Sequence, residues 1–576
     1  MEMDEYLKYR NAKFNLPDKN LAWPLFGAGI DRLGVNGRPV EKKFPDHTPD
    51  ELIMRIDAVS LCFSDLKEIE KGQHHPRFTG RDLETDPVVP GHEVSFTIVS
   101  VGKNLESQYK VGDRYTLEPD VWFEGKSIPF CFVMDGGYEQ YVKIDHRILN
   151  GDAGNYLIPI PDDMSYAASA ITEPWACVVA AYSSAQYRSQ LKPQGETLIM
   201  GCEASRKGYL IEKILTKEYK PSKIYVCDVP DDLLRKVEKI CELLGIQLIS
   251  TDKKTVLSGE IKFDDIILLD LPMNDTDKVS KLMKKFSVLA ILKEYKSQEL
   301  MEIDLGRLHY DTIYFVGSTG LDINQAFQGT PPRANLKSHG ITWVVGAGGP
   351  MGRMHLQRAI EDPSGPSTII ASEVTEDRFK ALNDFINMAA EYKKELIIVN
   401  SKTEPEKFKN IMLRIMKAGG IDDIALMVAI PSVVVEASRY LAKNGVMNIF
   451  AGLERGTLAQ IDPGLIYGPM QIRWISHSGS GLDDQKEVVK KVIEKKLRPE
   501  FSVAAIGGFY QIQDGLQAMK NFTFPGKIVI FPHILDFPLT ALKDLKEKAP
   551  QAYAALGKGH TWTLEAEKQF INDTLK

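Results

Sequence analysis

The chain has 576 residues, with 71 Lys and Arg against 78 Asp and Glu, and a formal charge of −7 at neutral pH. Hydrophobic residues make up 43% and charged residues 26%, a balance that supports packed cores and excludes wholesale disorder. Mild acidity gives no electrostatic reason for a nucleic-acid partner, and no apolar run reaches the ~20 residues that a membrane-spanning helix needs.

The opening residues, MEMDEYLKYRNAKF, are too charged for a signal peptide. Six scattered cysteines (Cys62, Cys131, Cys177, Cys202, Cys227 and Cys241) do not form a disulfide framework, so a reducing, cytoplasmic setting is expected. At ~150 residues per domain the length predicts three or four domains.

Up to about residue 150 the chain reads as short β-branched and aromatic runs broken by Gly, Pro and Asp, such as ELIMRIDAVSLCF, PVVPGHEVSFTIVSVG and GGYEQYVKI. Turn signals between them predict a compact, barrel-like β domain. From Glu173 the periodicity turns helical and continues through PWACVVAAYSSAQYRSQL.

An internal repeat follows. GETLIMGCEASRKGYLIEKI from Gly195 aligns with GITWVVGAGGPMGRMHLQRAI from Gly340, and KIYVCDVPDDLLRKVEKI matches TIIASEVTEDRFKALNDF at the same offset of 145 residues. FDDIILLDLP from Phe263 matches IDDIALMVAI from Ile421, and IDLGRLHYDTIYFVGSTGLDI from Ile303 matches IDPGLIYGPMQIRWISHSGSGLDD from Ile461. Each copy reads as strand, Gly-containing turn, helix, apolar strand with a terminal acid, helix and further strands. That is an α/β pattern, a doubly wound parallel sheet. GTPPRANLKS, from Gly329 to Ser338, is the expected linker.

In the second copy GAGGPMG, Gly346–Gly352, lies between an apolar strand and a helix. It reads as G-x-x-G-x-x-G (Gly346, Gly349, Gly352) with an extra Gly348 and with Met351 in the same turn. Such a turn brings backbone close to a pyrophosphate at a helix N-terminus. Glu373 ends the next strand, placed to accept hydrogen bonds from a ribose. Its charge repels a 2′-phosphate and favours NAD(H) over NADP(H), while Arg378 nearby keeps the second open.

The first copy keeps Gly201, but Ala204 and Lys207 stand where Gly349 and Gly352 stand in the second. Asp228 still ends its second strand. Side chains at those positions crowd a pyrophosphate, so this copy reads as a scaffold or subunit-contact domain. The alternative is that Arg206 and Lys207 hold a phosphorylated ligand at that helix start. Beyond the repeat, FYQIQDGLQAMKNFTFPGKIVIFP returns to helix plus strand, and the tail from His533 reads as mostly polar helix.

Cys62 in SLCFSDLKE, His92 and Glu93 in GHEV, and Glu173 in ITEPWAC offer one thiolate, one imidazole and carboxylates. Drawn from separated segments, this set suits a catalytic zinc with an open position. Each residue alone has an ordinary reading, as a small core hydrophobe or a satisfied core histidine. His74 and His75 read as an exposed loop.

C-x-S-D (Cys62, Ser64, Asp65), GHE (Gly91–Glu93), V-G-D-R (Val111–Arg114), D-G-G-Y-E-Q-Y (Asp135–Tyr141), the E-P of Glu173–Pro174, GGPMG and GKIVIFP stand together in this chain. Over about residues 20–200 and 335–535 the sequence resembles the zinc-dependent medium-chain dehydrogenase/reductase superfamily. The likeness is to its sorbitol dehydrogenase-like branch and to sugar-phosphate reductases such as sorbose 1-phosphate reductase. The resemblance implies a GroES-like, β-rich catalytic domain over residues 1–190 and 505–540. A degenerate Rossmann-like domain would span 191–330, an NAD-binding Rossmann domain 335–504 and a helical tail 541–576.

The resemblance also implies roles. Cys62 and His92 would ligate zinc, with Glu173 a ligand directly or through water and Glu93 able to enter the set transiently. Ser64 would hydrogen-bond the substrate hydroxyl and pass its proton outward, and Asp65 would orient His92. Lys67 stands where relatives often carry a histidine of the proton relay. Only Cys131 lies where many relatives have a four-cysteine zinc lobe, so one Zn2+ per chain is expected. The implied reaction is hydride transfer between NAD and a secondary alcohol, a small-molecule polyol, sugar alcohol or sugar phosphate. A cytoplasmic homo-oligomer with no nucleic-acid or membrane partner is expected. The rival readings are a non-catalytic NAD-binding or regulatory protein and a zinc-free quinone or enone reductase; the retained residue set disfavours both.

Overall fold

The computed structural model describes residues 5–78, 80–182, 188–294, 299–328, 333 and 335–575. The chain divides into two compact units, residues 1–180 with 479–576, and residues 181–478. The expected linker at Gly329–Ser338 falls partly outside the described residues.

The main sheet of the first unit begins with β1 (Leu52–Ser60), buried at all nine positions; its two charged residues, Arg55 and Asp57, pair with each other at 2.6 Å. Helix α1 (Phe63–Lys71) leaves it at Cys62. Next come β2 (Glu93–Val101), β3 (Arg114–Leu117), β4 (Tyr141–Ile144) and β5 (Leu157–Pro159). β1 pairs antiparallel with β2 and β4, and the sheet continues through β3 to β5. Helix α2 spans Thr172–Ala180. The sequence predicted a longer helix; the described helix ends at Ala180, and the Ala181 carbonyl accepts from Asn448 Nδ2. Residues 183–187 of that prediction lie outside the described residues.

The second unit contains both copies of the repeat. The first copy supplies β6 (Glu196–Met200), β7 (Lys223–Cys227), α3 (Asp231–Leu244), β8 (Gln247–Ser250), β9 (Phe263–Leu269) and β10 (Met283–Leu292). It ends with β11 (Met301–Asp304), α4 (Leu305–Tyr310) and β12 (Tyr314–Ser318). The second copy supplies β13 (Ile341–Val345), α5 (Pro350–Glu361), β14 (Thr368–Ser372), β15 (Glu395–Val399), β16 (Ile421–Leu426) and β17 (Leu441–Ile449). It ends with β18 (Leu458–Ile461), α6 (Gly464–Tyr467) and β19 (Arg473–Ile475). The first sheet has the order β8-β7-β6-β9-β10-β12 and the second β15-β14-β13-β16-β17-β19, all parallel. These are two doubly wound sheets of the same order, as the repeat predicted.

The copies also share an ion network at equivalent positions. Arg188 pairs with Asp265 at 2.8 Å and Arg333 with Asp423 at 2.8 Å. Lys192 donates to Asp264 at 2.6 Å and Lys337 to Asp422 at 2.5 Å. Each sheet shows a register shift at the same point, between Phe263 and Asp265 and between Ile421 and Asp423.

One expected element is missing. No helix joins β6 to β7; residues 201–222 run as turns and irregular chain. Gly208, at φ +85°, sits in the left-handed region and interrupts helical propagation. Ser205 Oγ donates to the Leu269 carbonyl at 2.7 Å, and Arg206 is tied to Asp270 at 2.9 Å. Tyr209, Ile211, Ile214 and Leu215 are buried without helical order. The supposed helix start carrying Arg206 and Lys207 is therefore corrected. By contrast α3 has Asp231 and Asp232 in its first turn and the left-handed Gly245 closing it, signals that favour a helix at both ends.

The chain returns to the first unit with α7 (Leu482–Ile493), β20 (Val503–Gly508), β21 (Lys527–Phe531), β22 (Thr540–Ala541) and α8 (Leu564–Thr574). The sequence reading grouped α7 with the second copy, but Gln485 Nε2 donates to Thr116 and Thr172 at 3.1 Å each, which fixes it on the first unit. β21 joins β1 antiparallel and brings Lys527 into the sheet. The tail is less polar than it reads, with Trp562 and Phe570 fully buried. The Glu567 carboxylate accepts from the Tyr166 and Ala167 amides at 2.6 and 2.9 Å and from Trp562 Nε1 at 3.2 Å.

Candidate active site

In the first unit, the junction of β1 with α1 sets the candidate metal centre. Cys62 occupies the N-cap of α1, and its backbone N–H donates to Asp65 Oδ2 at 3.1 Å. An acid at the third helical position closes the helix start in this way. The same carboxylate accepts from Tyr138 Oη at 2.8 Å and meets His92 Nδ1 at 2.7 Å. Asp65 thus fixes both the Cys62 backbone and the His92 ring. Because a carboxylate only accepts, Nδ1 carries a proton and Nε2 points its remaining valence elsewhere.

The Cys62 thiol, a His92 ring nitrogen and a Glu93 oxygen lie within 4.8 Å of one another. Ser64 Oγ donates to Cys62 Sγ at 3.0 Å and lies 3.3 Å from His92 Nε2, and the residue is exposed. Glu93 is fully buried, with one oxygen on Lys527 Nζ at 2.6 Å and the other without a hydrogen-bond partner. Burial would push the His92 imidazole down, but the charge of Asp65 and its hydrogen bond outweigh it and hold the ring well above its usual value.

Glu173, on α2, is buried outside that tight cluster. Burial pushes its carboxyl up to about 7, with His92 opposing and Glu93 reinforcing the shift. Cys177, one turn further along, donates to Glu173 Oε1 at 3.7 Å. Lys67 is exposed on α1, and among the described residues no hydrogen bond links it to Ser64 or His92. His75 stacks on Phe132 with ring centroids 5.4 Å apart.

Several groups escaped the sequence reading. Cys131 forms a second cluster with Asp65 and His92 within 4.8 Å, and donates to the buried Glu68 at 3.7 Å. Glu118 is buried, and burial with the charge of Glu173 pushes it up to about 8. Lys527 sits inside GKIVIFP, and a lysine in an otherwise apolar strand was the available signal for a buried charge partner.

The glycine turn belongs to the second unit. Gly346 has φ +76°, and its N–H and that of Ala347 donate to the Ser372 carbonyl at 3.0 Å each. A Cβ on Gly352 would fall 2.2 Å from the Gly346 carbonyl oxygen, so only glycine allows α5 to start this close. Gly349 caps α5, Pro350 opens it, and Met351 is half-buried in its first turn. Glu373 accepts from the amides of Gly348, Val374 and Thr375 at 3.1, 2.8 and 3.0 Å. Arg378 lies over the turn, its Nη1 3.9 Å from where a Cβ on Gly349 would stand. In the first copy a cavity of about 560 Å3 at the ends of β6 and β7 is lined by Cys202, Lys207, Asp228 and Lys253 among others.

Residues 48–151, which include Cys62, His92 and the strands that hold them, match the alcohol dehydrogenase GroES-like domain. The chain is 26% identical to L-sorbose 1-phosphate reductase of Klebsiella pneumoniae, over 48% of this chain and 71% of that protein. It is 25% identical to mannitol-1-phosphate 5-dehydrogenase of Aliivibrio fischeri, over 48% of this chain and 70% of that one. These matches make the chain similar to the medium-chain dehydrogenase/reductase superfamily. The likeness is to its sorbitol dehydrogenase-like branch and supports an oxidoreductase of the alcohol dehydrogenase type. The crystal structure of AibC shares the fold, with a TM-score of 0.50 and 12% identity over 92% of this chain and 99% of that one. Among the described residues no helix is long and apolar enough to cross a membrane.

Proposed function

We propose that this protein is a zinc-dependent, nicotinamide-linked oxidoreductase that interconverts a secondary alcohol and a ketone. The observation that carries the reading is the Cys62–His92–Glu93 cluster, whose histidine is anchored on Nδ1 by Asp65. A soft thiolate, an imidazole with Nε2 available and a buried carboxylate oxygen without a partner fit zinc's preference for mixed N, S and O ligands. Cys62 and His92 would hold the ion, with Glu173 completing the set directly or through water and Glu93 held in reserve on Lys527. With zinc and a nicotinamide bound, Lewis-acid polarisation of the substrate oxygen and a hydride acceptor or donor are both supplied.

The chain's own residues do the rest. Ser64, whose Oγ lies 3.0 Å from Cys62 Sγ on an exposed residue, takes the hydroxyl proton as it passes its own outward; Lys67 is the exposed group next along α1. Asp65 keeps His92 in one tautomer and orientation. The buried Glu118, pushed up to about 8, keeps the pocket's charge low by holding a proton near neutral pH. In the second unit the glycine turn Gly346–Gly352 and the N-terminus of α5 would hold the dinucleotide, with Met351 and Arg378 beside it.

Glu373 favours NAD over NADP, since a 2′-phosphate would meet its carboxylate. The relatives' activities support a polyol, sugar alcohol or sugar phosphate as substrate. One cleanly measured property separates this from a non-catalytic nucleotide-binding protein: about one zinc per chain in the purified enzyme. Cys62→Ala should lose zinc and turnover together in a screen of polyols and ketose phosphates with NAD(H) and NADP(H). Full activity in that variant, or after chelation, would sink the assignment.

A further inference from the structure

The two copies of the repeat pack on each other through equivalent elements. β11 and β18, which occupy the same place in the two copies, pair antiparallel, with Glu302 opposite Gln460 and Ile303 opposite Ala459. Their inward residues, Met301, Ile303, Ala459 and Ile461, are all buried, while Gln460 faces solvent. The last strand of each sheet, β12 and β19, lies against the other, and α4 and α6 each rest on strands of the opposite copy.

Individual contacts come in related pairs. His309 Nδ1 meets Ser476 Oγ at 3.0 Å. In the repeat alignment His309 corresponds to Tyr467, and Ser476 to Gly317 once one added residue before β19 is allowed for. The corresponding contact exists: a Cβ on Gly317 would stand 2.5 Å from the Tyr467 Cβ. A surface in which residue i meets j, and the counterpart of j meets the counterpart of i, is a two-fold interface of the kind that joins identical subunits. One hydrophobic core runs through both copies across it. It also covers β12 and β19, which would otherwise be open sheet edges.

We infer that the first copy is a built-in partner, occupying within one chain the surface through which the second copy would otherwise pair with another copy of this chain. The degraded glycine turn and the missing helix between β6 and β7 then have a reason. The part of the first copy kept intact is the part that touches the second, not the part that would hold a nucleotide. The homo-oligomer implied by the family resemblance would have to form through another face.

The pairing centre gives a direct test on the full-length protein. In a homotypic dimer through β18, residue 460 of one chain faces residue 460 of the other. Gln460→Cys alone, under mild oxidation, should therefore give no disulfide-linked pair of chains through residue 460. The double variant Glu302→Cys/Gln460→Cys should close a bridge within one chain and run at 64.5 kDa on a non-reducing gel. Peptide mapping of the bridge, with every native cysteine accounted for, identifies it. A 460–460 bridge between chains, a 302–460 bridge between chains, or no bridge in the double variant would each overturn the inference.

Discussion

At the scale of single residues, Asp65 carries more of the site than any proposed ligand. Its two oxygens hold the Cys62 amide, the Tyr138 hydroxyl and the His92 ring, so one side chain sets the distance between thiol and imidazole. Asp65→Asn keeps the size but removes the charge and one acceptor. Zinc affinity, measured against a competing chelator, should fall about 10–100-fold, the usual cost of losing a partner of a metal-bound histidine. Unchanged affinity would show that Asp65 is a helix cap and nothing more. Cys62, Ser64, Asp65 and His92 were legible in the sequence because they cluster in short motifs with few alternative uses. Lys527 as the partner of Glu93 was not, because 434 residues separate them and only the antiparallel pairing of β21 with β1 closes that distance. Cys131 was dismissed for lacking companion cysteines, yet its neighbours are Asp65, His92 and Glu68.

At the scale of elements, α8 shows how a segment with no visible chemistry earns its place. Its Glu567 caps the start of the helix at Tyr166, and burial pushes that carboxyl up to about 7 from an ordinary 4.5. The folded state therefore holds this proton more tightly than the unfolded chain does. The stability it adds is fully present below the ordinary value and is lost as pH rises through about 7. The loss amounts to about 3 kcal/mol. Glu567→Gln cannot titrate, so the stability of the native protein relative to this variant should fall by that order between pH 4.5 and pH 8. Denaturant midpoints at the two pH values measure it, and a constant gap would refute the burial effect. The segment after β6 teaches the converse. GYLIEKILTKEY reads as helix by periodicity, but Gly208 and the ties of Ser205 and Arg206 to β9 and its following turn override local preference. Propensity is a weak term once such anchors exist.

At the scale of the whole molecule, the sequence predicted the duplicated doubly wound sheets, because an internal repeat is visible without knowing any contact. The core that the two copies share was not legible, because it leaves no trace in either copy's own pattern. The proposed ligands should act on different units. NAD at 100 times its dissociation constant should stabilise the second unit by about 2.7 kcal/mol, seen as slower amide exchange over Gly346–Thr375. Chelation should speed exchange around Cys62–Lys71 and Glu93–Val101. Protection by NAD of residues 201–228 would instead reveal a second nucleotide site in the first copy. The contact of His309 with Ser476 and its counterpart, Tyr467 against Gly317, also bear on descent. In a pair of identical subunits every substitution strikes the interface twice, so a change tolerated on one side must be tolerated on the other. Fusion into a single polypeptide lifts that constraint: a hydrogen bond can persist at one position while its mirror image becomes a steric fit around a missing side chain. The two halves were thereby freed to drift apart, one keeping a nucleotide-type turn and the other losing it.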